Sequence, residues 1–322
     1  MRVGTWLLIA AVCGLGLAAA VDALRDEERS SPRPAVDETA TPRSEAARVA
    51  EALREEGIRG LLTYSDERCR LHAVELPELE ARPAASERSC EFSGSPRNVF
   101  SVGGTVRDPR GSRTASCADG SVELRTRYGV VLARGHACAP AWKPNGVLTA
   151  VRDGELVELR VLGESRRLAA RVLVSREDFA RALGRDPWAL RSPALAEVVW
   201  LDDDTFAGIL VDRRRGERVI ALFRRGRFVA APPSPYDELS HLRASPFGKY
   251  VAARLGRGGL VVLDDEGRYL SLGFRAARAI AWSPDETWTA VATSDGVYVF
   301  PTGERPIGLV RLPFRAFDLF WQ

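Results

Sequence analysis

The stretch that decides the fold is residues 278–312, RAIAWSPDETWTAVATSDGVYVFPTGERPIGLVRL. Short apolar runs alternate here with three turn signals, Ser283-Pro284-Asp285, Asp295-Gly296 and Thr302-Gly303-Glu304. Pro, Asp and Gly favour tight turns, and the runs between them are rich in residues that favour strands. Three turns join four strands, so the stretch predicts one four-stranded antiparallel unit.

The same order of signals recurs along the chain, at intervals of about 40 to 60 residues. The first turns of these further units stand at residues 95–98, 142–146, 200–204 and 244–248. The longest interval contains an insertion at 175–192, where the spacing of Ser175 and Asp178 is typical of a helix capping box. A four-stranded unit repeated at this period is typical of β-propeller blades. The fold class predicted is therefore all-β.

The two ends of the repeat region complement each other. Residues 317–321, FDLFW, match the inner strand of a unit and are followed by no further strands of that unit. Residues 61–66 and 70–74 match a second and a third strand but have no inner strand before them. We therefore predict a six-bladed β-propeller over residues 58–322, closed by its C-terminal strand so that no sheet edge is left open at the seam.

Residues 281–285, AWSPD, together with 295–299, DGVYV, resemble the repeats of the TolB-like and WD-repeat-like propeller families. The resemblance covers roughly residues 58–322 and implies a membrane-anchored or secreted bacterial protein. The chain departs from strict WD repeats because it lacks a regular Gly-His and Trp-Asp pair. Since such propellers serve as binding platforms and as scaffolds for several chemistries, the resemblance implies the fold and not an activity.

A run of seventeen uncharged residues, 5–21, stands near the start of the sequence, with Arg2 before it and Asp22 after it. It is long enough for a short membrane anchor, and the small residues near its end also suit a cleaved signal peptide. Both alternatives place the rest of the chain outside the cytoplasm, in the cell membrane or secreted or periplasmic. The predicted organisation is an anchor or signal at 1–24, a linker and short helix at 25–57, and the propeller.

Four cysteines lie in the predicted propeller region: Cys69, Cys90, Cys117 and Cys138. An even number suits an oxidising compartment, and two of the intervals are 21 residues long. Pairing Cys69 with Cys90 and Cys117 with Cys138 would give two similar disulfides, although four cysteines allow three connectivities. Free buried thiols are the alternative, and zinc is disfavoured because no close cysteine pair exists.

Composition and motifs exclude several classes of function. The net charge is only +3, so no large basic excess is available to bind nucleic acid. Nucleotide-binding, kinase and common hydrolase signatures are absent from the sequence. Lys143 and Lys249 are the only lysines among 46 basic residues, so arginine clusters carry little weight. We expect a monomeric propeller without a cofactor that binds a protein partner or a small ligand at the envelope.

One ring of positions could carry chemistry. The residue three before each first turn is Glu91, Ala139, Glu197, His241, Ala279 or Asp318. If this position faces the central channel, Glu91, Glu197, His241 and Asp318 could hold a divalent cation, as in a metal-assisted hydrolase or lactonase-like enzyme. The alternative is a set of solvated residues, or residues paired with Arg243 and Arg278. Strand alternation leaves open whether the position faces the channel or a blade interface.

Tryptophan recurs at a second position of the repeat. Trp142, Trp200, Trp282 and Trp321 each stand at the end of a predicted inner strand. Large aromatic side chains at one repeat position predict packing between blades and not a ligand cage.

Overall fold

The chain is described by a computed structural model over most of the predicted propeller. The residues described are 42–83, 89–95, 99–102, 104–163, 166–183, 193–212, 216–225, 227–230, 238–256, 259–270, 274, 276–303 and 308–322. The apolar run 5–21 and the linker up to residue 41 lie outside them, as does the second half of the 175–192 insertion. Within these ranges no helix is both long enough and apolar enough to cross a membrane.

Two helices form in the regions where the sequence predicts them. Helix α1 is Pro42–Glu55, and its apolar stripe buries Ala50 and Leu53. Gly57 ends it with φ +72°, a backbone conformation that favours glycine. Helix α2 is Arg176–Leu183; the Ser175 hydroxyl accepts a hydrogen bond from the Asp178 N–H, and the Asp178 carboxylate accepts one from the Ser175 N–H. The capping box is therefore confirmed.

All other regular elements in the described ranges are β-strands. The first strands are β1 (Gly60–Ser65), β2 (Leu71–Leu76), β3 (Glu80–Arg82), β4 (Phe92–Ser95) and β5 (Val99–Val102). The next eight are β6 (Val106–Arg107), β7 (Arg113–Ala118), β8 (Ser121–Thr126), β9 (Val131–His136), β10 (Cys138–Trp142), β11 (Leu148–Arg152), β12 (Glu155–Leu162) and β13 (Arg167–Val174). The last twelve are β14 (Pro193–Trp200), β15 (Thr205–Asp212), β16 (Arg218–Arg224), β17 (Arg227–Ala230), β18 (Leu239–Ala244), β19 (Tyr250–Leu255), β20 (Leu260–Asp264), β21 (Ala279–Trp282), β22 (Trp288–Ala292), β23 (Val297–Pro301), β24 (Val310–Leu312) and β25 (Asp318–Trp321).

Consecutive strands pair as antiparallel meanders, which we number as sheets. Sheet 1 has the order β25-β1-β2-β3. Strands β6–β9 make sheet 2 and β10–β13 make sheet 3, and these two are joined into one eight-stranded sheet by a parallel pairing of β9 with β13. Sheet 4 is β14–β17, sheet 5 is β18–β20 and sheet 6 is β21–β24. Among the described strands, β4 and β5 pair only with each other.

The C-terminal strand closes sheet 1 in the predicted way. Strand β25 pairs antiparallel with β1, with Leu62 opposite Trp321 and Ser65 opposite Asp318. The Trp321 indole N–H also donates to the Arg59 carbonyl, at 3.1 Å. The inner strand of the first sheet is thus supplied from the other end of the chain, and the prediction of closure is confirmed.

The hydrophobic core lies between neighbouring sheets and not in one central mass. Separate clusters of buried residues join sheets 2 and 3, sheets 3 and 4, sheets 4 and 5, sheets 5 and 6, and sheets 6 and 1. Each of the four repeat tryptophans lies in one of these clusters, and none is more than 4% exposed: Trp142, Trp200, Trp282 and Trp321. This confirms their packing role. Meanders packed face to face and closed by the last strand make a β-propeller.

The start of sheet 2 differs from the sequence prediction. Residues 95–98 are predicted to turn between the first two strands of this unit, but the strands on either side, β4 and β5, pair with each other and not with β7. Residues 96–98 themselves lie outside the described residues. The strand that pairs with β7 is β6, and Asp108 builds the turn between them. Its buried carboxylate accepts hydrogen bonds from the N–H groups of Ser112 and Arg113. A buried aspartate that satisfies two turn donors outweighs the weaker Ser-Pro signal.

Both predicted disulfides form, and each joins two neighbouring sheets. Cys69 lies in the β1–β2 turn and is bonded to Cys90, just before β4, with the two Cα atoms 4.4 Å apart. Cys117 on β7 is bonded to Cys138 on β10, with a Cα separation of 5.1 Å. The covalent links therefore run from sheet 1 to the β4–β5 hairpin and from sheet 2 to sheet 3.

Candidate functional site: the central channel

The inner strands of three sheets carry a β-bulge at the ring position singled out in the sequence. The pairing register shifts between Cys138 and Ala141, between Leu195 and Glu197, and between Ser240 and Arg243. At two of these bulges a non-glycine residue has positive φ, Ala139 at 46° and His241 at 57°. A bulge interrupts the strict alternation of side chains and redirects one of them. This explains how the ring position comes to face the channel.

The channel is a cavity of about 200 Å³ surrounded by inner strands. Five of the six predicted ring residues line it directly, as do three arginines; these residues are Ala139, Glu197, His241, Ala279, Asp318, Arg243, Arg254 and Arg278. The lining also includes apolar groups such as Val106 and Ile280. The predicted ring is therefore largely present in the channel.

Arg243 is the centre of the hydrogen bonding in the channel. Its guanidinium donates to the carbonyl oxygens of Ile280 at 2.7 Å, Leu319 at 2.5 Å and Phe92 at 2.9 Å, and to both oxygens of Asp318 at 3.0 Å. These acceptors belong to sheet 6, to β25 of sheet 1 and to β4, while Arg243 itself stands on sheet 5. One side chain thus ties four segments together. The arginine side chain is 15% exposed and the Asp318 side chain 8%.

Asp318 is fully engaged by structural partners. Besides Arg243, its carboxylate accepts hydrogen bonds from the backbone N–H of Phe92 at 2.7 Å and of Leu319 at 2.8 Å. A buried carboxylate that accepts several hydrogen bonds and faces a guanidinium is stabilised in place. Asp318 therefore acts as a structural acceptor that fixes β25 and β4 beside each other.

The two other ring carboxylates, Glu91 and Glu197, contact His241 and its neighbour Leu242. The His241 Nε2 atom is 2.7 Å from Glu91 Oε2, and both side chains are a little under half exposed. The other ring nitrogen, Nδ1, lies 3.1 Å from the Ser240 hydroxyl. Glu197 instead accepts a hydrogen bond from the backbone N–H of Leu242, at 3.2 Å. The structure thus joins Glu91 to His241, and joins Asp318 to Arg243.

The four residues predicted as metal ligands do not form one cluster. Across the described residues, no group of three or more His, Cys, Asp or Glu side chains could hold a metal ion. Glu91 pairs with His241, Asp318 with Arg243, and Glu197 with a backbone donor. The salt-bridged alternative therefore matches the geometry of Asp318, which pairs with Arg243. Arg278, which was predicted to pair with a ring carboxylate, instead lies 3.8 Å from Glu67.

Arg254 is a channel residue that the sequence analysis did not predict. Its guanidinium donates to the carbonyls of Arg278 at 2.9 Å and Phe317 at 3.3 Å, and lies 4.8 Å from the centre of the Phe317 ring. It stands on β19, a second strand, so alignment of the inner strands alone could not find it. A long side chain on a second strand reaches the channel where the inner strand bulges.

One side of the propeller carries the turns that join first and second strands, and we call it the turn face. It is formed by the turns at residues 143–147, 201–205, 245–250 and 283–288. Neighbouring turns contact each other: the Asn145 N–H donates to Asp203, and the Phe247 N–H donates to Glu286. Phe247 itself is 71% exposed. The turn face is therefore ordered by contacts from one turn to the next and presents an aromatic side chain to solvent.

Aspartates organise these turns locally. Asp202 accepts the N–H groups of Asp204 and Thr205, Asp203 contacts the neighbouring turn, and Asp204 pairs with Arg225. In the turn of sheet 6, a hydrogen bond from the Ser283 hydroxyl holds the pKa of Asp285 below its usual range. These contacts account for the Asp202-Asp203-Asp204 run as turn chemistry.

Comparisons with known proteins add little beyond the fold. No family model matches the sequence, and no curated protein matches it. Among solved structures, the Myceliophteria thermophila Cps50 (Swd1) β-propeller domain is similar at 12% identity, over 80% of this chain and 85% of that one, with a TM-score of 0.44. The Dos1 propeller is similar at 12% identity, over 78% of this chain and 68% of that one, with a TM-score of 0.45. Kuenenia stuttgartiensis hydrazine synthase is similar at 12% identity, over 72% of this chain and 70% of that one, with a TM-score of 0.41. The assignment as a β-propeller rests on the sheet topology of this chain.

Proposed function

We propose that this chain is a non-catalytic, six-bladed propeller that binds a protein partner outside the cytoplasm. In this proposal it belongs with the TolB-like and WD-repeat-like propellers of bacterial envelopes and is held at the membrane, or exported, by residues 5–21. The inner strands β25, β6, β10, β14, β18 and β21 support a count of six blades. The two disulfides support an oxidising compartment.

The observation that carries the binding function is that Arg243 uses the polar groups around the channel for structural contacts. Its five hydrogen bonds engage Asp318 and carbonyls of three other strands. The recognition surface is then the loops of a rigid ring, as is common for scaffolds that position binding loops. On the turn face, Phe247 supplies an exposed aromatic group of the kind enriched at protein interfaces.

The test is crosslinking of the full-length protein in its native membranes, followed by identification of the crosslinked partner. Phe247→Ser should lower recovery of that partner severalfold, because it removes the exposed aromatic anchor. Val229→Ser is the matched control, since Val229 is 38% exposed on the outermost strand of sheet 4 and belongs to none of the four turns that form the turn face. Equal recovery with both variants, or loss with both, would overturn the assignment of the turn face.

A hydrolase is the second candidate, in the lactonase-like form, since the four residues predicted to hold a metal do not form one cluster among the described residues. One observation favours it: Ser240, His241 and Glu91 form a hydrogen-bonded series beside the channel. A serine or a water molecule next to a histidine–carboxylate pair can act in acyl transfer. Ester and lactone hydrolysis by the purified full-length chain, with and without divalent cations, tests it. Turnover abolished by Glu91→Gln would establish the enzyme and reject the scaffold.

A further inference from the structure

Sheets 2 and 3 carry the same ionic cluster at the same place. The tetrapeptide Val-Glu-Leu-Arg occurs at residues 122–125 on β8 and again at 157–160 on β12. Glu123 contacts Arg125 and Arg134, and Glu158 contacts Arg160 and Arg171. In each sheet, a nearly buried glutamate of the third strand is therefore held between two arginines, one from its own strand and one from the outer strand.

The ion pairs hold the arginines in fixed positions. Hydrogen bonds from Arg125 and then Arg134 lower the pKa of Glu123. Burial raises the pKa of Glu158, but hydrogen bonds from Arg160 and Arg171 outweigh it, and the pKa is lowered. Both glutamates are therefore ionised at neutral pH. Each guanidinium is anchored on one side and remains open to solvent on the other.

The outer strands of the two sheets join edge to edge, which brings the clusters together. Arg134 of β9 pairs with Arg167 of β13 in parallel register, and the Arg134 N–H donates to the Arg166 carbonyl at 3.0 Å. On the inner side of this junction, Leu168 packs against the cluster between sheets 2 and 3. A Cβ added at Gly135 would lie 2.7 Å from the Leu168 Cβ, so only glycine allows this approach.

Strand alternation puts the arginines on the outer side of the junction. Glu123 is opposite Arg134, Arg134 is opposite Arg167, and Glu158 is opposite Arg171, so these side chains share one convex face. We call this face the arginine rim and define it by Arg125, Arg134, Arg160, Arg167 and Arg171. Their side chains are well exposed, with 68% for Arg134 and 63% for Arg171. Five arginines against two glutamates leave an excess of three positive charges.

Exposed apolar residues stand at one end of the arginine rim. The turn before β9 carries Tyr128, 77% exposed, and Val130, 60% exposed. Strand β12 ends with Leu162, 51% exposed, on the face that it shares with Arg160. Because β9 and β13 run parallel, the turns that precede them lie at the same end of the junction. Basic and apolar side chains are thus adjacent on one convex edge.

We propose that the arginine rim docks on the surface of a bilayer that contains anionic phospholipid. Arginine attracts anionic headgroups, and neighbouring tyrosine, valine and leucine side chains can enter the interfacial region. The edge is convex and, within the described residues, the channel cavity does not extend to it, so it suits a broad, flat surface better than a peptide segment. The inference goes beyond the binding of a protein partner, which uses the turn face.

The test is partition of the full-length protein into vesicles of pure phosphatidylcholine and into vesicles with 30% phosphatidylglycerol. Partition into the neutral vesicles reports the apolar run 5–21, whereas the ratio between the two reports the arginine rim. Arg167→Glu should lower this ratio about tenfold, because it changes the charge by two units at the surface. Arg167 makes no ion pair with any residue the structure describes, so the fold should persist. Tyr128→Ser with Val130→Ser should also lower anionic binding, without changing the charge.

Two matched variants complete the experiment. Arg68→Glu makes the same charge change at an exposed position in the β1–β2 turn, and Phe247→Ser makes a similar apolar-to-polar change on the turn face. Both should leave the ratio unchanged. A wild-type ratio near one, or an equal loss with Arg68→Glu, would overturn the proposal. The proposal would also be overturned if the protein bound an acidic protein in an Arg167-dependent way but did not bind anionic vesicles. Failure of the wild-type protein to crosslink any partner, while its lipid ratio stays intact, would reject only the proposed function.

Discussion

Replacing Arg243 tests whether the hydrogen bonds at the centre of the ring stabilise the fold. Arg243→Met keeps much of the side-chain length but removes donors to three carbonyls and to Asp318. Removing one partner of a buried ion pair costs about 3–5 kcal/mol. We expect a loss of about 3 kcal/mol, at the lower end, because Asp318 keeps its two backbone N–H donors. For a domain of this size, that lowers Tm by about 6 °C.

The measurement is urea unfolding of the full-length protein followed by circular dichroism, with the disulfides intact. Arg254→Met is the matched control, because Arg254 donates to two carbonyls but to no carboxylate. It should cost about 1–2 kcal/mol in the free energy of unfolding. Adding Asp318→Asn to Arg243→Met should recover part of the loss, since the unpaired buried charge is removed. A loss for Arg243→Met no larger than that for Arg254→Met would refute the reasoning.

Three further predictions concern closure, the disulfides and acid stability. Deletion of Asp318–Trp321 should abolish cooperative thermal unfolding, because β1 then loses its ladder partner; a retained single transition would contradict this. Cys69→Ser with Cys90→Ser should lower the free energy of unfolding by about 3 kcal/mol for a loop of this length, as measured in urea. Stability should fall as the pH drops from about 5 to 3, because the pKa of Glu158 is lower in the folded protein than in the unfolded chain. Its ion pairs stabilise the fold at pH values above the pKa of the unfolded chain, and this stabilisation is lost as the carboxylate binds a proton. Glu158→Gln should flatten part of that fall, and an unchanged slope would argue against the ion pairs.

Much of the fold was accessible from local sequence because each unit repeats the same turn chemistry. The closure by β25 could be predicted, since an inner strand without successors and two strands without an inner strand must complete each other. The spacing of the cysteines suggested the two disulfides but left the connectivity open, and the structure pairs Cys69 with Cys90 and Cys117 with Cys138. The capping box at Ser175 and Asp178 was equally readable, because both partners lie within one helical turn.

What could not be predicted depends on contacts between units. The bulge at His241 requires a positive φ that nothing in the local sequence requires. Arg243 finds its acceptors on segments 37 to 151 residues away, so their convergence depends on the closed ring. The pairing of β9 with β13 joins two outer strands, for which the repeat pattern offers no signal. The repeated Val-Glu-Leu-Arg tetrapeptide is the one sequence signal of the paired clusters, and it lies within strands, whereas the repeat is defined by its turns.

The closure of sheet 1 also determines when folding of the first sheet can be completed during synthesis. Strand β1 can pair with β25 only when Trp321 is available. The Trp321 side chain also donates to the carbonyl of Arg59, which lies 262 residues earlier in the chain. Such a distant contact slows folding. A chain that emerges from its N-terminus therefore exposes the open edge of β1 throughout synthesis or export. Until the last strand arrives, that edge is available to another nascent copy, so a folding helper that shields it would raise the yield of the protein.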